Sequence, residues 1–167
     1  MAETVRPGTS ISTQIPTDAL GVFDTERYLN LETYRRDGIG VRTPVWFAAG
    51  PKGFPGFGVA KLYVYTTADA GKVKRVRRDG VVRIAPCDMR GNVTGPWVNA
   101  TAEPVTGAEF ELGMRLLDRK YFPWKQFLNL SARLFRRRER VVLAIQPAPT
   151  DASPAPGITG LMPRPPR

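Results

Sequence analysis

The sequence contains no histidine and a single cysteine, and these two absences exclude several classes of chemistry. Without histidine there is no Ser-His-Asp triad and no Cys-His pair, and zinc sites of the common kinds lose their ligands. A magnesium site built from carboxylates alone stays open, although the acidic residues are scattered and form no DxD-like cluster. If the protein is an enzyme, we therefore expect a bound organic cofactor to supply the chemistry.

The lone cysteine, Cys87, cannot form an internal disulfide, and we expect a small buried residue there instead of a nucleophile. With so little cysteine, the cytoplasm is the expected compartment. The sequence also lacks the run of roughly 20 apolar residues that a membrane helix needs. The longest apolar run, Val141–Ile145, predicts a buried strand. The N-terminus has no basic segment followed by an apolar core, so we expect no secretory signal.

Acidic residues are few beside the basic ones, with 15 Asp and Glu against 25 Lys and Arg, for a formal net charge of +10. Such a balance favours anionic partners, which include phosphates, polycarboxylates and nucleic acid. The positive charge is concentrated in Lys72–Arg78 and Arg119–Arg140. Apolar residues such as Val73 and Val76 interrupt these clusters, so basic faces of folded elements are favoured over a disordered nucleic-acid-binding arm.

Composition divides the chain of 167 residues into one domain and two arms. The hydrophobic fraction of 42% is sufficient for a single core. Residues 1–17 are rich in Ser, Thr, Pro and Gly and predict a flexible N-terminal arm. Residues 18–146 carry the periodic patterns of a folded domain, whereas residues 147–167 are Pro-rich and predict a loose C-terminal tail.

Within the domain, strand patterns outnumber helix patterns. The turn dipeptide Asp37-Gly38 separates two strand-like runs and predicts a hairpin. The expected elements of the first half are a short helix within Asp18–Tyr28, a hairpin over Tyr28–Ala48, a Gly/Pro surface loop over Ala49–Ala60, a strand from Leu62 and a short basic helix. Two strands follow, Val81–Cys87 and Val93–Val105, the second with a bulge at Gly95-Pro96. The remaining elements are a helix over Thr106–Lys120 with a capping box formed by Thr106 and Glu109, a helix over Pro123–Arg138, and a final strand over Glu139–Gln146. About six antiparallel strands with inserted helices indicate an α+β fold, most simply a small barrel.

The stretch Lys61–Gly80 predicts an anion site, because a strand there runs directly into the N-terminus of a basic helix. Helix N-termini offer free N–H groups and a partial positive charge. Lys72 lies in the first turn, Arg75 one turn later, and Lys74 is a less certain third contact. The strand end Tyr65-Thr66 precedes the helix, and the Thr66 hydroxyl can donate to an anion. We expect Arg77 and Arg78 to form a solvated basic face instead.

A second candidate region lies on the hairpin arm that contains Thr43, Pro44, Val45 and Trp46. Pro44 has no N–H, so the strand is expected to be bulged or at an edge there, with neighbouring backbone groups free to bind a ligand. These residues also fit an ordinary barrel strand. Trp97 offers a flat face for stacking at a cleft, or fits a core position equally well.

Five motifs in order resemble a known superfamily: TPVWF (Thr43–Phe47), LYVYT (Leu62–Thr66), GKVKRVRRD (Gly71–Asp79), VRIAPCDMRGNVTGPW (Val82–Trp97) and NATAEPV (Asn99–Val105). Together they resemble the pyridoxamine-phosphate-oxidase-like (PPOX class) split β-barrel proteins, and within them the branch that uses the deazaflavin F420. The resemblance covers about Leu29 to Ile145. The lengthened loop Ala49–Ala60 departs from the common pattern, so the resemblance does not define how a substrate reaches the cleft.

The resemblance implies a mainly β split barrel of the FMN-binding type that forms a homodimer, with a cofactor in each of two clefts at the subunit interface. It implies that backbone groups of Thr43, Pro44, Val45 and Trp46 bind the cofactor ring. It assigns the phosphate to Tyr65 and Thr66 together with the basic turn of Lys72 and Arg75, and it places Trp97 at the closing wall of the cleft.

The expected function is therefore an F420-dependent oxidoreductase that transfers a hydride between F420 and an electron-poor small organic substrate. The polyanionic F420 tail would also account for the large positive charge. The alternatives are an FMN-dependent oxidase or reductase on the same fold, or a protein that carries a flavin or haem without turnover. Nucleic-acid binding through the basic helices is the least favoured interpretation, because aromatic residues such as Phe122 and Trp124 fit helix packing equally well.

Overall fold

The structure is a computed structural model that describes residues 20–51, 61–122 and 139–148. The predicted N-terminal arm, the predicted helix Pro123–Arg138, most of the loop Ala49–Ala60 and most of the C-terminal tail lie outside the described residues. Among the described helices, none has the length and apolar character needed to cross a membrane.

Six antiparallel strands form a closed barrel in the order β1-β2-β3-β6-β5-β4, with β4 pairing back to β1. The elements are a 3-10 turn at Gly21–Phe23, β1 (Tyr28–Tyr34), β2 (Gly40–Ala49), β3 (Leu62–Thr67), α1 (Gly71–Asp79), β4 (Val81–Cys87), β5 (Val98–Val105), α2 (Gly107–Tyr121) and β6 (Arg140–Pro147). The expected six-stranded α+β barrel is thus confirmed. The hairpin turn is confirmed as well, since Gly38 has a φ of 81° and the Ile39 N–H donates to the Asp37 carboxylate.

The barrel interior holds the main hydrophobic core, and separate elements close its two ends. Fully buried side chains from every strand meet inside, among them Leu31, Phe47 and Leu143. Burial of such aliphatic and aromatic side chains contributes roughly 1.5–3 kcal/mol each. Val73 and Val76 of α1 also belong to this core, as the helical spacing predicts. The basic residues of α1 are therefore held on a helix that is packed against the barrel.

Helix α2 covers the outside of β3 and β6, where Gly113 allows a close approach. A Cβ atom on Gly113 would lie 2.8 Å from Val142 Cγ1 and 3.1 Å from Tyr63 Cδ1. Phe110 and Met114 pack on the same outer cluster as Tyr63 and Val142. Leu117 is also buried, so one face of this helix is apolar and packs on the barrel.

Replacing Gly113 by alanine should destabilise the protein although alanine is the better helix former. Alanine gains about 1 kcal/mol of helix propensity, but overpacking a tight contact costs about 1–3 kcal/mol. We expect a lower midpoint in thermal unfolding followed by circular dichroism. Gly107 is the control position near the same helix, because nothing lies within 4 Å of a Cβ there, although its φ of 58° adds a backbone cost. An increase in the melting temperature of the Gly113 variant would contradict this account.

Two local predictions are wrong. The strand predicted over Val93–Val105 begins only at Val98, and Gly95-Pro96 precede it instead of forming a bulge inside it. Residues before it form an isolated bridge between Val93 and Cys87, and the Thr94 N–H donates to the Pro86 carbonyl at 2.9 Å. The segment is therefore held as a loop against β4.

The capping box predicted for α2 is also absent. Thr106 is the N-cap residue but makes no side-chain cap hydrogen bond. Glu109 instead accepts from Lys61 Nζ at 2.8 Å and from the Tyr63 hydroxyl at 3.1 Å. The half-buried Lys61 ammonium is a stronger partner for this carboxylate than a backbone N–H at the helix start.

Candidate functional site

The seam between β2 and β3 is where the barrel pairing is shortest. Only three residue pairs join these strands, from Phe47↔Val64 to Ala49↔Leu62, whereas β1 and β2 pair from Tyr28↔Trp46 to Tyr34↔Gly40. The part of β2 from Gly40 to Trp46 therefore has no strand partner on its second edge among the described residues. We call this part of β2 the free edge.

The direction of the β2 backbone groups follows from two neighbouring contacts. Phe47 bonds through both its N–H and its carbonyl to the Tyr121 hydroxyl, on the β1 side. The Gly50 N–H donates to the Lys61 carbonyl on the β3 side. Because backbone groups alternate along a strand, those of Arg42, Pro44 and Trp46 face the free edge.

Pro44 lies in the middle of the free edge, and its side chain is exposed. The strand needs no N–H there, because none of the described strands pairs with this edge, and an edge is the usual place for proline in a sheet. The register with β1 runs without interruption, so the break predicted at Pro44 is an edge and not a bulge. Thr43 and Val45 turn their backbone groups to β1, which removes them from a backbone role at the free edge.

Positive charges crowd around α1 at the end of the barrel. Lys72 and Arg75 are half-buried, and Arg75 Nε donates to Thr33 Oγ1 at 2.8 Å. Burial lowers the pKa of Lys72 below its ordinary value, and the charge of Arg75 lowers it further. Burial also lowers the pKa of Arg75, followed by the charges of Arg35 and Arg78. An anion beside these groups would relieve both the repulsion and the lost hydration.

Arg78 is exposed, as expected, and extends this cluster. Its guanidinium donates to the Tyr34 carbonyl at 2.8 Å and pairs with Asp79 at 2.5 Å. It lines an open cleft of about 970 Å³ together with Arg35 and Arg36 from the β1–β2 turn. Arg35, Lys72, Arg75 and Arg78 form what we call the cation cluster, and Arg35 and Arg78 of this cluster line the cleft together with Asp37 and Asp79.

The other predicted anion contacts are dispersed around this cluster. Thr66 is 6% exposed and faces the barrel interior at the end of β3. Tyr65 points to the outside, with 38% of its surface exposed. Lys74 is exposed on α1, away from the half-buried Lys72 and Arg75. The structure therefore brings together Lys72 and Arg75, and it separates Lys74 and Tyr65 from them.

Trp97 lies on the opposite side of β2 from the free edge. Its ring packs on the guanidinium groups of Arg42 and Arg83, each 5.0 Å from a ring centroid. Both arginines pair with the buried carboxylate of Glu32, at 2.8 Å and 3.5 Å. Within one chain Trp97 is thus an anchor for the loop after β4 and does not line the seam.

An aromatic pocket of about 600 Å³ lies where the free edge ends at Trp46. The indole of Trp46 stacks on the Tyr121 ring, with centroids 5.1 Å apart and 18° between the planes. Further lining comes from Tyr28, Met89, Lys120 and Phe122. The Lys120 ammonium lies 3.7 Å from the centroid of the Phe47 ring, and burial lowers the pKa of Lys120 to about 8.

Sequence reasoning missed several of these residues. Arg78 lies one turn after Arg75, so helical spacing alone could have grouped them. Arg35 reaches the cluster only through the fold of the hairpin, and no sequence signal places it there. Lys120 carries no signal either, because its position depends on α2 crossing the β1–β2 end of the barrel. Cys87 is buried as expected, and burial raises the pKa of its thiol to about 11.

No protein-family model matches the sequence, and no curated protein is significantly similar to it. Solved structures do share its fold. A Bacteroides thetaiotaomicron protein assigned to 5-nitroimidazole antibiotic resistance aligns over 80% of each chain, with 10% identity and a TM-score of 0.54. The Vibrio cholerae heme storage protein HutZ aligns over 80% of this chain and 89% of its own, with 14% identity and a TM-score of 0.51.

A solved F420 reductase also aligns over 80% of this chain and 96% of its own, at 18% identity. Its TM-score of 0.49 is too low to support an inference. At these identities the comparisons establish the fold alone. The chain has a split β-barrel fold of six antiparallel strands.

Proposed function

We propose that this protein is an F420-dependent oxidoreductase that transfers a hydride between F420 and an electron-poor small organic compound. The observation that carries the proposal is the cation cluster, in which half-buried Lys72 and Arg75 are surrounded by further positive charge. When bound, F420 supplies the hydride, and the acceptor gains a proton from solvent. The chain's own part is to bind, orient and exclude water, with no side-chain nucleophile.

The donor set of the site fits such a cofactor. Lys72 and Arg75 would hold the phosphate, with Arg35 and Arg78 beside it in the open cleft. The backbone groups of Arg42, Pro44 and Trp46 along the free edge would bind the polar rim of the ring. Gly40 at the cleft and Trp46 at the aromatic pocket are six residues apart on β2, which spans roughly 20 Å at ~3.3 Å per residue. An elongated cofactor matches this arrangement.

We also propose that the protein acts as a homodimer in the cytoplasm, with Trp97 at the subunit contact. Apolar side chains exposed on the described surface support an interface, including Val22 at 41% and Val93 at 39%. Analytical ultracentrifugation of the full chain tests this, and a monomer at all concentrations would contradict it. The Trp97 role would fail if Trp97→Phe left the dimer dissociation constant unchanged.

FMN is the second candidate cofactor, because its phosphate is also negatively charged. The cation cluster alone does not discriminate between FMN and F420. The likeness to HutZ supports a haem protein as a further candidate on fold grounds. The donor set weighs against haem, since the chain has no histidine and the Cys87 thiol is buried with a raised pKa. Histidine and cysteine thiolate are the commonest protein ligands of haem iron.

A titration with F420, FMN and haem, each followed by absorbance or fluorescence, separates these candidates. We expect saturable binding of F420, with affinity that falls as salt is raised because charge pairing is screened. Binding of FMN but not of F420 would replace the leading proposal by a flavin enzyme. Tight binding of haem alone would make the protein a haem carrier.

A further inference from the structure

We propose that the aromatic pocket binds a neutral, planar aromatic compound whose carbonyl oxygen accepts a hydrogen bond from Lys120. The pocket is then the acceptor site of the oxidoreductase, and in this respect the inference rests on the proposed function. Its volume of about 600 Å³ lies within the range of small-molecule sites. The contacts, the rigidity, the charge and the position of the pocket all support this assignment.

The walls of the pocket are aromatic. Tyr28, Trp46, Tyr121 and Phe122 all contribute to its lining. Flat rings of this kind gain most from stacking against a flat ligand. Phe122 remains 69% exposed, so a ligand that covers its ring would remove apolar surface from water.

The pocket is held in shape before any ligand binds. The Tyr121 hydroxyl accepts from the Phe47 N–H at 3.1 Å and lies within hydrogen-bonding distance of the Arg27 and Phe47 carbonyls, at 2.5 Å and 2.9 Å, which fixes the ring that stacks on Trp46. Met89 lies on a tight turn in which the Asp88 carboxylate accepts from the N–H groups of Arg90 and Asn92. A preformed site loses less conformational entropy on binding than a mobile one.

Lys120 is the polar group that would orient the ligand. Its ammonium has three N–H donors, and the Glu26 carbonyl accepts one of them at 2.6 Å. The Phe47 ring below the ammonium fixes its position without accepting a conventional hydrogen bond. A ligand carbonyl in the pocket would therefore meet a charged donor that is already in place.

The charge around the pocket favours a neutral ligand over an anion. Glu26 and Arg27 line it with opposite charges, and Asp24 and Glu26 both raise the pKa of Lys120 against the dominant effect of burial. This balance contrasts with the cation cluster at α1, where every neighbour that shifts Arg75 is positive. The two sites thus differ in the charge of the ligand that they select.

The position of the pocket fits an acceptor site. Trp46 belongs both to the free edge and to the pocket wall, so a ligand on the indole lies beside whatever occupies that edge. The cation cluster lies toward the opposite end of β2. A cofactor with its phosphate at α1 and its ring along the free edge would bring the ring next to the pocket.

Equilibrium dialysis of the cofactor-free full chain against 9-fluorenone and fluorene tests the pocket. The two probes share a planar shape, and only fluorenone has the carbonyl. We expect fluorenone to bind about tenfold more tightly than fluorene, since a hydrogen bond to a charged donor is worth about that factor. Lys120→Met should remove the difference by weakening fluorenone alone, and Lys120→Arg should retain part of it.

Arg119→Met is the matched control, because it removes the neighbouring exposed cation of α2 that does not line the pocket. The proposal would be overturned if the two probes bound the wild type equally or if neither bound. It would also be overturned if Lys120→Met and Arg119→Met lost equal affinity for the probes. A change of oligomeric state in Lys120→Met would overturn it as well, because it would make this surface a contact between copies.

A parallel F420 titration separates this inference from the proposed function. Lys120→Met should keep its F420 affinity within about twofold, because it leaves the cation cluster intact. If the wild type binds fluorenone but no cofactor, the proposed function fails and the pocket assignment stands. If it binds F420 but not fluorenone, the acceptor site lies elsewhere.

Discussion

Replacing both Lys72 and Arg75 by alanine should weaken F420 binding by about a hundredfold. Each side chain would contribute a charged hydrogen bond to the phosphate, and such bonds are worth roughly 1.5–3 kcal/mol, or about tenfold or more. Both groups are half-buried with pKa values lowered by desolvation and by like charge, so an anion gains more from them than from exposed bases. Fluorescence titration of F420 at fixed ionic strength measures the change.

Arg77→Ala is the matched control for this double variant. Arg77 lies on the same helix but is exposed, so its loss should change the affinity by less than about twofold. Arg75→Ala also removes the hydrogen bond to Thr33, so thermal unfolding must show that α1 stays folded. A stable double variant whose affinity equals that of Arg77→Ala would reassign Lys72 and Arg75 to an ordinary basic surface.

The salt dependence of binding separates direct pairing from a general positive field. In the wild type, the affinity should fall steeply with ionic strength, whereas the double variant should respond much less. If the two respond alike, the attraction comes from the net charge of the whole chain and not from this cluster. The double variant would then differ from the wild type only through its lower net charge.

Much of the barrel could be predicted from the sequence because its signals are local. Turn residues such as Asp37-Gly38 and alternating apolar residues mark hairpins regardless of what surrounds them. The strand Val81–Cys87 has the predicted bounds, and α1 buries Val73 and Val76 as its spacing requires. The start of β5 was missed because Val93 has strand propensity, whereas its pairing with Cys87 is a single bridge.

Residues of the candidate site were predicted only where a single helix or strand carries them. Lys72 and Arg75 share a helix turn, so spacing alone groups them, and Pro44 marks an edge because proline cannot donate. Arg35 reaches the cation cluster, and Lys120 and Tyr121 reach the aromatic pocket, only through contacts between distant elements. The Tyr121 hydroxyl, for example, bridges Arg27 and Phe47, which lie more than 70 residues earlier in the chain. No periodicity within a segment encodes such a contact.

Glu32→Ala should lower the stability of the protein by about 1.5–3 kcal/mol, the usual worth of hydrogen bonds to a charged group, because the arginine partners Arg42 and Arg83 are 58% and 23% exposed and can be hydrated. The Glu32 side chain is only 5% exposed and pairs with Arg42 and Arg83. It also accepts from the Tyr34 hydroxyl at 3.1 Å. Its removal leaves two guanidinium groups close together without their shared carboxylate. Thermal or urea unfolding followed by circular dichroism measures the loss.

Glu103→Ala is the control, because it makes the same change in net charge at a side chain that is 62% exposed and 3.9 Å from Lys61. Exposed pairs contribute about 0–1 kcal/mol, so this variant should unfold close to the wild type. Equal effects of the two variants would show that Glu32 acts only through net charge.

The same substitution tests whether Glu32 positions Trp97. The carboxylate fixes Arg42 and Arg83, and both guanidinium groups lie 5.0 Å from the Trp97 ring. Glu32→Ala should therefore shift the Trp97 contribution to tryptophan fluorescence, and Trp97→Phe in the same background should abolish that shift. Glu32→Gln keeps the side-chain shape but loses the charge and one of the two acceptor oxygens, so it should retain part of the Trp97 signal while losing part of the stability. If Glu32→Gln lost the signal as fully as Glu32→Ala, charge and not shape would hold Trp97 against the barrel.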